Sequence, residues 1–148
     1  MYKTTAQDFA VFKDEALYWL ERFGLKSYRV GILHQALDSD RGLARCYWNT
    51  DGSRWAHIVL NTKVNWDLTP DLMEIPRAAF HEVCELLLSQ VTTVLREERS
   101  ETTVDDLTHA LIITLETAIW LPDYTARTTL KQEPAVPAVE RKASPRKR

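Results

Sequence analysis

Cysteine is scarce in this chain. Cys46 and Cys84 are the two it has, and they do not stand at any spacing used for metal or redox sites. That excludes a cysteine-built zinc site and a disulfide framework, and both residues are expected to be free thiols. Cys84, set in an apolar stretch, reads as a small core residue. Long apolar runs are also missing. None reaches the roughly 20 residues that cross a bilayer, so no membrane partner is expected. Residues 1–7 are polar and the segment after them is amphipathic and charged, unlike a secretory leader. With free thiols, this leads to the expectation of a cytoplasmic protein. Net charge is small as well, −2 at pH 7, which gives no global attraction to nucleic acid or to an anionic membrane. No internal repeat is present.

What is there is an ordinary globular composition, 45% hydrophobic and 27% charged over 148 residues, enough for one domain with its own core. Phe9, Phe12, Ala16, Leu20 and Phe23 recur at helical spacing and predict a helix over 6–23, with Gly24 as its stop. The residue types then turn β-like over 28–37, 43–48 and 55–61. Asn49-Thr-Asp-Gly52 has hairpin chemistry between the last two of these strands. In the third strand Ala56, Ile58 and Leu60 face one way, and Trp55, His57 and Val59 the other. Trp48, Trp55, Trp66 and Trp120 are expected to pack in the core or the hairpin.

A helix is predicted over 72–97 and another over 104–120, capped by Thr103 and stopped by Leu121-Pro122. Residues 127–148 contain Pro134, Pro137 and Pro145 and many charges, and are expected to form a disordered basic tail. The order predicts an α+β fold within residues 1–126. An N-terminal helix is followed by a small, three-stranded, mostly antiparallel sheet and then by two C-terminal helices.

The organising stretch is Ala78-Ala-Phe-His81-Glu82-Val-Cys-Glu85-Leu-Leu-Leu88. His81 and Glu85 are four apart, one above the other on a helix, and Glu82 is one step round. A histidine and two carboxylates among Phe and Leu are costly to bury without compensation, and a metal ion would supply it. His-Glu-x-x-His on a helix is the zinc-peptidase pattern, two ligands and a general base. Here Glu85 replaces the second histidine. A third ligand is best sought at His109, in the apolar face of the next helix. His81, Glu85 and His109 then give two imidazoles and one carboxylate for Zn2+, with Glu82 as the base. His109 reads equally as a core histidine. Glu116 reads as an acceptor behind a ligand, an arginine partner, an exposed residue or the alternate third ligand. His57 and His34 read as surface or cleft residues.

These residues carry a resemblance. Trp55-Ala-His-Ile-Val-Leu-Asn61 followed by Ala79-Phe-His81-Glu82-Val resembles the strand and active helix of minimal zincins such as the SprT-like (Spartan) peptidases. Ala79-Phe-His81-Glu82-Val-Cys-Glu85, followed by His109-Ala-Leu-Ile-Ile-Thr-Leu-Glu116, is similar to two helices of small phage-encoded metallopeptidase-like proteins. The resemblance covers roughly residues 28–120. It implies a zincin-like fold in a host cytoplasm, with Trp55–Asn61 as an edge strand that pairs with a protein or peptide substrate. The departure at Glu85 bears on activity more than on fold. The competing reading is a non-enzymatic phage accessory protein that binds a host or viral protein, its polar cluster fixing helix packing. The basic block Glu140–Arg148 reads as a solubilising end or as a weak handle for nucleic acid.

Overall fold

The computed structural model describes residues 1–37, 42–49, 53–65, 71 and 73–132, the last two of these by backbone alone. The central hairpin turn at 50–52, Trp66 and the tail from 133 onward lie outside the described residues. The elements are β1 (Tyr2–Lys3), α1 (Ala6–Arg22), β2 (Arg29–Gln35), β3 (Ala44–Trp48), β4 (Trp55–Asn61) and β5 (Lys63–Val64). After them come α2 (Glu74–Glu98), α3 (Glu101–Leu115), a π turn (Glu116–Trp120) and α4 (Leu121–Gln132). The class is α+β, with one small sheet of three strands and another of two. Among the described residues no helix is long and apolar enough to cross a membrane.

Local chemistry sets the helix ends. Thr5 and Asp8 form a reciprocal capping box at the start of α1. Gly24, at φ 68°, turns the chain out of α1 through the left-handed region that only glycine enters freely. Ahead of α2, the Asp71 carboxylate accepts the N–H groups of Met73 and Glu74 at 2.7 and 2.9 Å. Pro76 then sits in the first turn, where it removes no helical bond. The cap of α3 is Ser100 rather than the expected Thr103, whose N–H donates to the Ser100 hydroxyl at 3.3 Å. Ser100 has the extended backbone of a cap residue, so the helix opens three residues earlier.

The three-stranded sheet has the order β2-β4-β3. β3 and β4 are antiparallel, and β2 runs parallel to β4. Trp55–Asn61 is therefore the central strand, not the expected edge. Its run Ile58-Val-Leu60 is wholly buried, as suits a strand flanked on both sides. The edge strand beside α2 is β3. α1 and α2 cover one face of the sheet, where Phe12, Ala16, Trp19, Phe80 and Val83 meet Ile58 and Leu60 in the core. Trp19 and Phe80 make an edge-to-face contact at 4.8 Å.

The helix expected to stop at Leu121-Pro122 continues to Gln132, so residues 127–132 belong to α4 and not to the tail. Within an α-helix Pro122 would lack its bond to the carbonyl four residues back and would clash with it. The π turn directly ahead, in which the Leu121 N–H reaches the Glu116 carbonyl, widens the helix and lets the chain pass.

α4 is anchored on α1 through Glu15, which is 5% exposed. Its carboxylate accepts the indole N–H groups of Trp19 at 2.8 Å and Trp120 at 3.1 Å. Arg127 adds a two-pronged contact at 2.7 and 3.0 Å, and also reaches Asp123 at 2.6 Å. Removing one partner of such a pair strands a buried charge. Arg127→Met should therefore cost about 3 kcal/mol, the low end of the range for breaking a buried pair because the arginine is partly exposed. Adding Glu15→Gln should recover part of that loss. Urea unfolding of the single and double variants checks this; a single-variant loss under about 1 kcal/mol would show that the pair does not hold α4.

Candidate metal centre

α2 carries the site on its middle turns. Ile75, Ala79, Val83 and Leu86 are buried toward the sheet, which leaves His81 and Glu85 on the side that meets α3. The link between the two helices is only Arg99 and Ser100, so α3 folds straight back and lays His109 over Glu85. Arg96 and Asp105, paired at 2.7 Å, tie the two helices near their shared end.

The three expected ligands come together. Donor atoms of His81, Glu85 and His109 all lie within 4.8 Å of one another. Glu85 Oε1 is 3.8 Å from His81 Nε2 and 3.6 Å from His109 Nε2. The two imidazoles stand 5.4 Å apart and tilted by 32°. A tetrahedral ion with bonds of about 2.0–2.1 Å separates its donors by about 3.3 Å; the two Glu85 distances exceed that by a few tenths of an ångström, whereas the remaining side of the triangle, within 4.8 Å, would have to close further. His109 is the most open of the three, its side chain 51% exposed.

Glu116 is not a fourth member of this triangle. Its Oε1 lies 2.9 Å from His81 Nδ1. A carboxylate accepts there, so the proton sits on Nδ1 and the Nε2 lone pair points at Glu85 and His109. This is the arrangement that orients a ligating histidine and makes it more basic. The π turn that carries the chain past Pro122 begins at Glu116 itself. Of the other histidines, His34 bonds Thr4 at 2.7 Å and stacks on Phe9. His57 is exposed on the far face of the sheet.

Glu82 sits deeper than its neighbours, 6% exposed. Its Oε2 is buried with no hydrogen-bond partner among the described residues. Burial, followed by the nearby Glu85 charge, holds its carboxyl well above the usual range, and the Cys46 amide and Arg45 pull only partly the other way. Burial raises Glu85 too, against the influence of His81 and His109. The Cys46 amide as a donor to Glu82 could not be read in the sequence. In β3 the residues paired by hydrogen bonds to β4 alternate, and Leu43 and Asn49 belong to the bonded set. The Cys46 N–H therefore points out of the sheet edge toward α2.

A cleft of about 490 Å³ opens on this side, bounded by Leu43 and Ala44 of the sheet edge, Arg77, His81 and Glu82 of α2, and Glu116. Two imidazoles and one carboxylate are a donor set that fits a divalent cation. No protein-family model, curated protein or solved structure matches the chain.

The raised carboxyls give a pH prediction for metal-free protein. A carboxyl raised by the fold favours folding most below its unfolded pKa, about 4.3. That contribution is lost as pH rises through the raised folded value. Glu82→Gln removes the titration, so in chelator the variant should gain stability over wild type steadily as pH rises from about 4 to 8. Urea unfolding across that range measures it; a difference independent of pH would contradict the account.

Proposed function

We propose that the protein is a zinc-dependent hydrolase, a metallopeptidase acting on protein or peptide substrates, with His81, Glu85 and His109 as ligands. The observation that carries this reading is the convergence of those three donors from two helices, with Glu116 seated behind His81. When bound there, zinc would polarise a substrate carbonyl and bring the pKa of a coordinated water toward about 7.

Glu82 is the proton acceptor. Its unpartnered Oε2 and raised pKa suit a group that takes a proton and returns it to a leaving amine. The Cys46 amide fixes the carboxylate's orientation. Glu116 keeps the His81 proton on Nδ1. The cleft along Leu43 and Ala44 leaves room for an extended chain at the β3 edge, the place taken in the sequence reading by Trp55–Asn61.

The Cys46–Glu82 contact also favours a second reading. In it, the cluster is a hydrogen-bond network that locks α2 to β3 in a partner-binding protein without catalysis. The two readings part on a paired assay. In the enzyme, His81→Ala, Glu85→Ala and His109→Ala each lower zinc occupancy at least tenfold. Glu82→Gln binds zinc as wild type does and loses peptide cleavage by about a hundredfold or more. Zinc content together with digestion of a denatured-protein mixture measures both. Cleavage surviving in Glu82→Gln contradicts the role of Glu82, and undiminished zinc in His109→Ala removes His109 from the ligand set.

A further inference from the structure

The outer face of the three-stranded sheet is turned away from the metal centre and from α1 and α2. Five neighbouring side chains on it are exposed: Arg29 on β2, Arg45 and Tyr47 on β3, and Trp55 and His57 on β4. Strand pairing sets Arg29 beside Trp55 and Tyr47 beside His57. The Trp55 and His57 rings are 5.1 Å apart at 47°. Gly31 stands opposite His57, and a methyl there would lie 2.9 Å from the imidazole Cδ2, so the ring lies across the strand and keeps the surface low. Tyr47 and Trp55 are 38% and 39% exposed, and Trp55 was expected to pack in the core or the hairpin.

Charge is segregated onto this face. The chain holds 21 acidic against 19 basic residues, yet β2, β3 and β4 contain no Asp or Glu. Among the described residues neither Arg29 nor Arg45 forms an ion pair, although Arg45, on the edge strand, is within electrostatic reach of Glu82. The small net charge of the whole chain hides this local excess.

We propose that this sheet face binds single-stranded nucleic acid. Bases would stack on Trp55 and Tyr47, with His57 between them, while Arg29 and Arg45 meet the phosphates. Aromatic rings with arginine also mark protein interfaces, but two arginines on three strands that carry no acidic residue favour a polyanion over a protein surface of mixed charge. Here the rings are half open and flanked by unpaired cations, which is the complement of a polyanion with π-faces. The proposal does not rest on the metal site.

The test is fluorescence anisotropy of labelled oligothymidine and oligouridine on the full-length protein, with circular dichroism to check folding. Wild type should bind at low salt, its affinity falling with a log–log salt slope of about 1.4 for two phosphate contacts. Trp55→Ala and Tyr47→Ala should each weaken binding roughly 5- to 150-fold, the range for one lost base stack. Arg29→Gln and Arg45→Gln should each lower the slope by about 0.7. Preference between the two oligomers reports on DNA against RNA. Three results overturn the proposal. One is no binding by wild type. Another is binding lost only on replacing Arg146, Lys147 and Arg148 by Gln. The third is equally tight binding of poly-glutamate that ignores Trp55→Ala, since the face would then read charge alone.

Discussion

The cost of burying carboxylates beside one another governs this structure. Glu82 and Glu85 are on one helix, within each other's electrostatic reach, and both are pushed toward the neutral form chiefly by loss of water. Glu116 comes in from the far end of α3. Packing alone does not offset three acids and two imidazoles gathered between helices. The cation proposed at His81, Glu85 and His109 would offset part of that cost. The Nε2 atoms of His81 and His109 lie near Glu85, the Glu116 carboxylate holds the His81 proton on Nδ1, and one Glu82 oxygen has no partner among the described residues.

The rest of the fold holds that cluster in place. A two-residue link returns α3 along α2, which puts His109 one helix away from Glu85. The π turn makes Glu116 the hinge between α3 and α4. Beyond it, Trp120 and Arg127 close on Glu15, a second buried carboxylate that is fully paired inside the protein. The contrast between the two acids is instructive. Glu15 accepts four hydrogen bonds, whereas one Glu82 oxygen has no partner among the described residues.

The site was more legible in the sequence than the sheet. His81, Glu82 and Glu85 share a helical face by spacing alone, and His109 stood out as a histidine in an apolar face. Glu116 had a place without a fixed role, because its partner depends on how the helices cross. Strand order is set by long-range pairing, and so Trp55–Asn61 was read as an edge although its Ile58-Val-Leu60 run already suited a central strand. Pro122 read as a helix stop because the rule for proline assumes α geometry, which the π turn relaxes. Glu15 had a signal that was missed: an acid within the apolar stripe of Phe12, Ala16 and Trp19 asks for a buried partner. The open aromatic face was hidden because alternation says which residues share a side, but not which side a helix covers.

The central claim is that two imidazoles and a carboxylate hold zinc. X-ray absorption at the zinc edge, on protein loaded with one equivalent, reads the donor set directly. The account predicts nitrogen and oxygen neighbours at about 2.0–2.1 Å with the multiple scattering of two histidines and no sulfur. A sulfur shell near 2.3 Å, a single imidazole, or no retained zinc would contradict it.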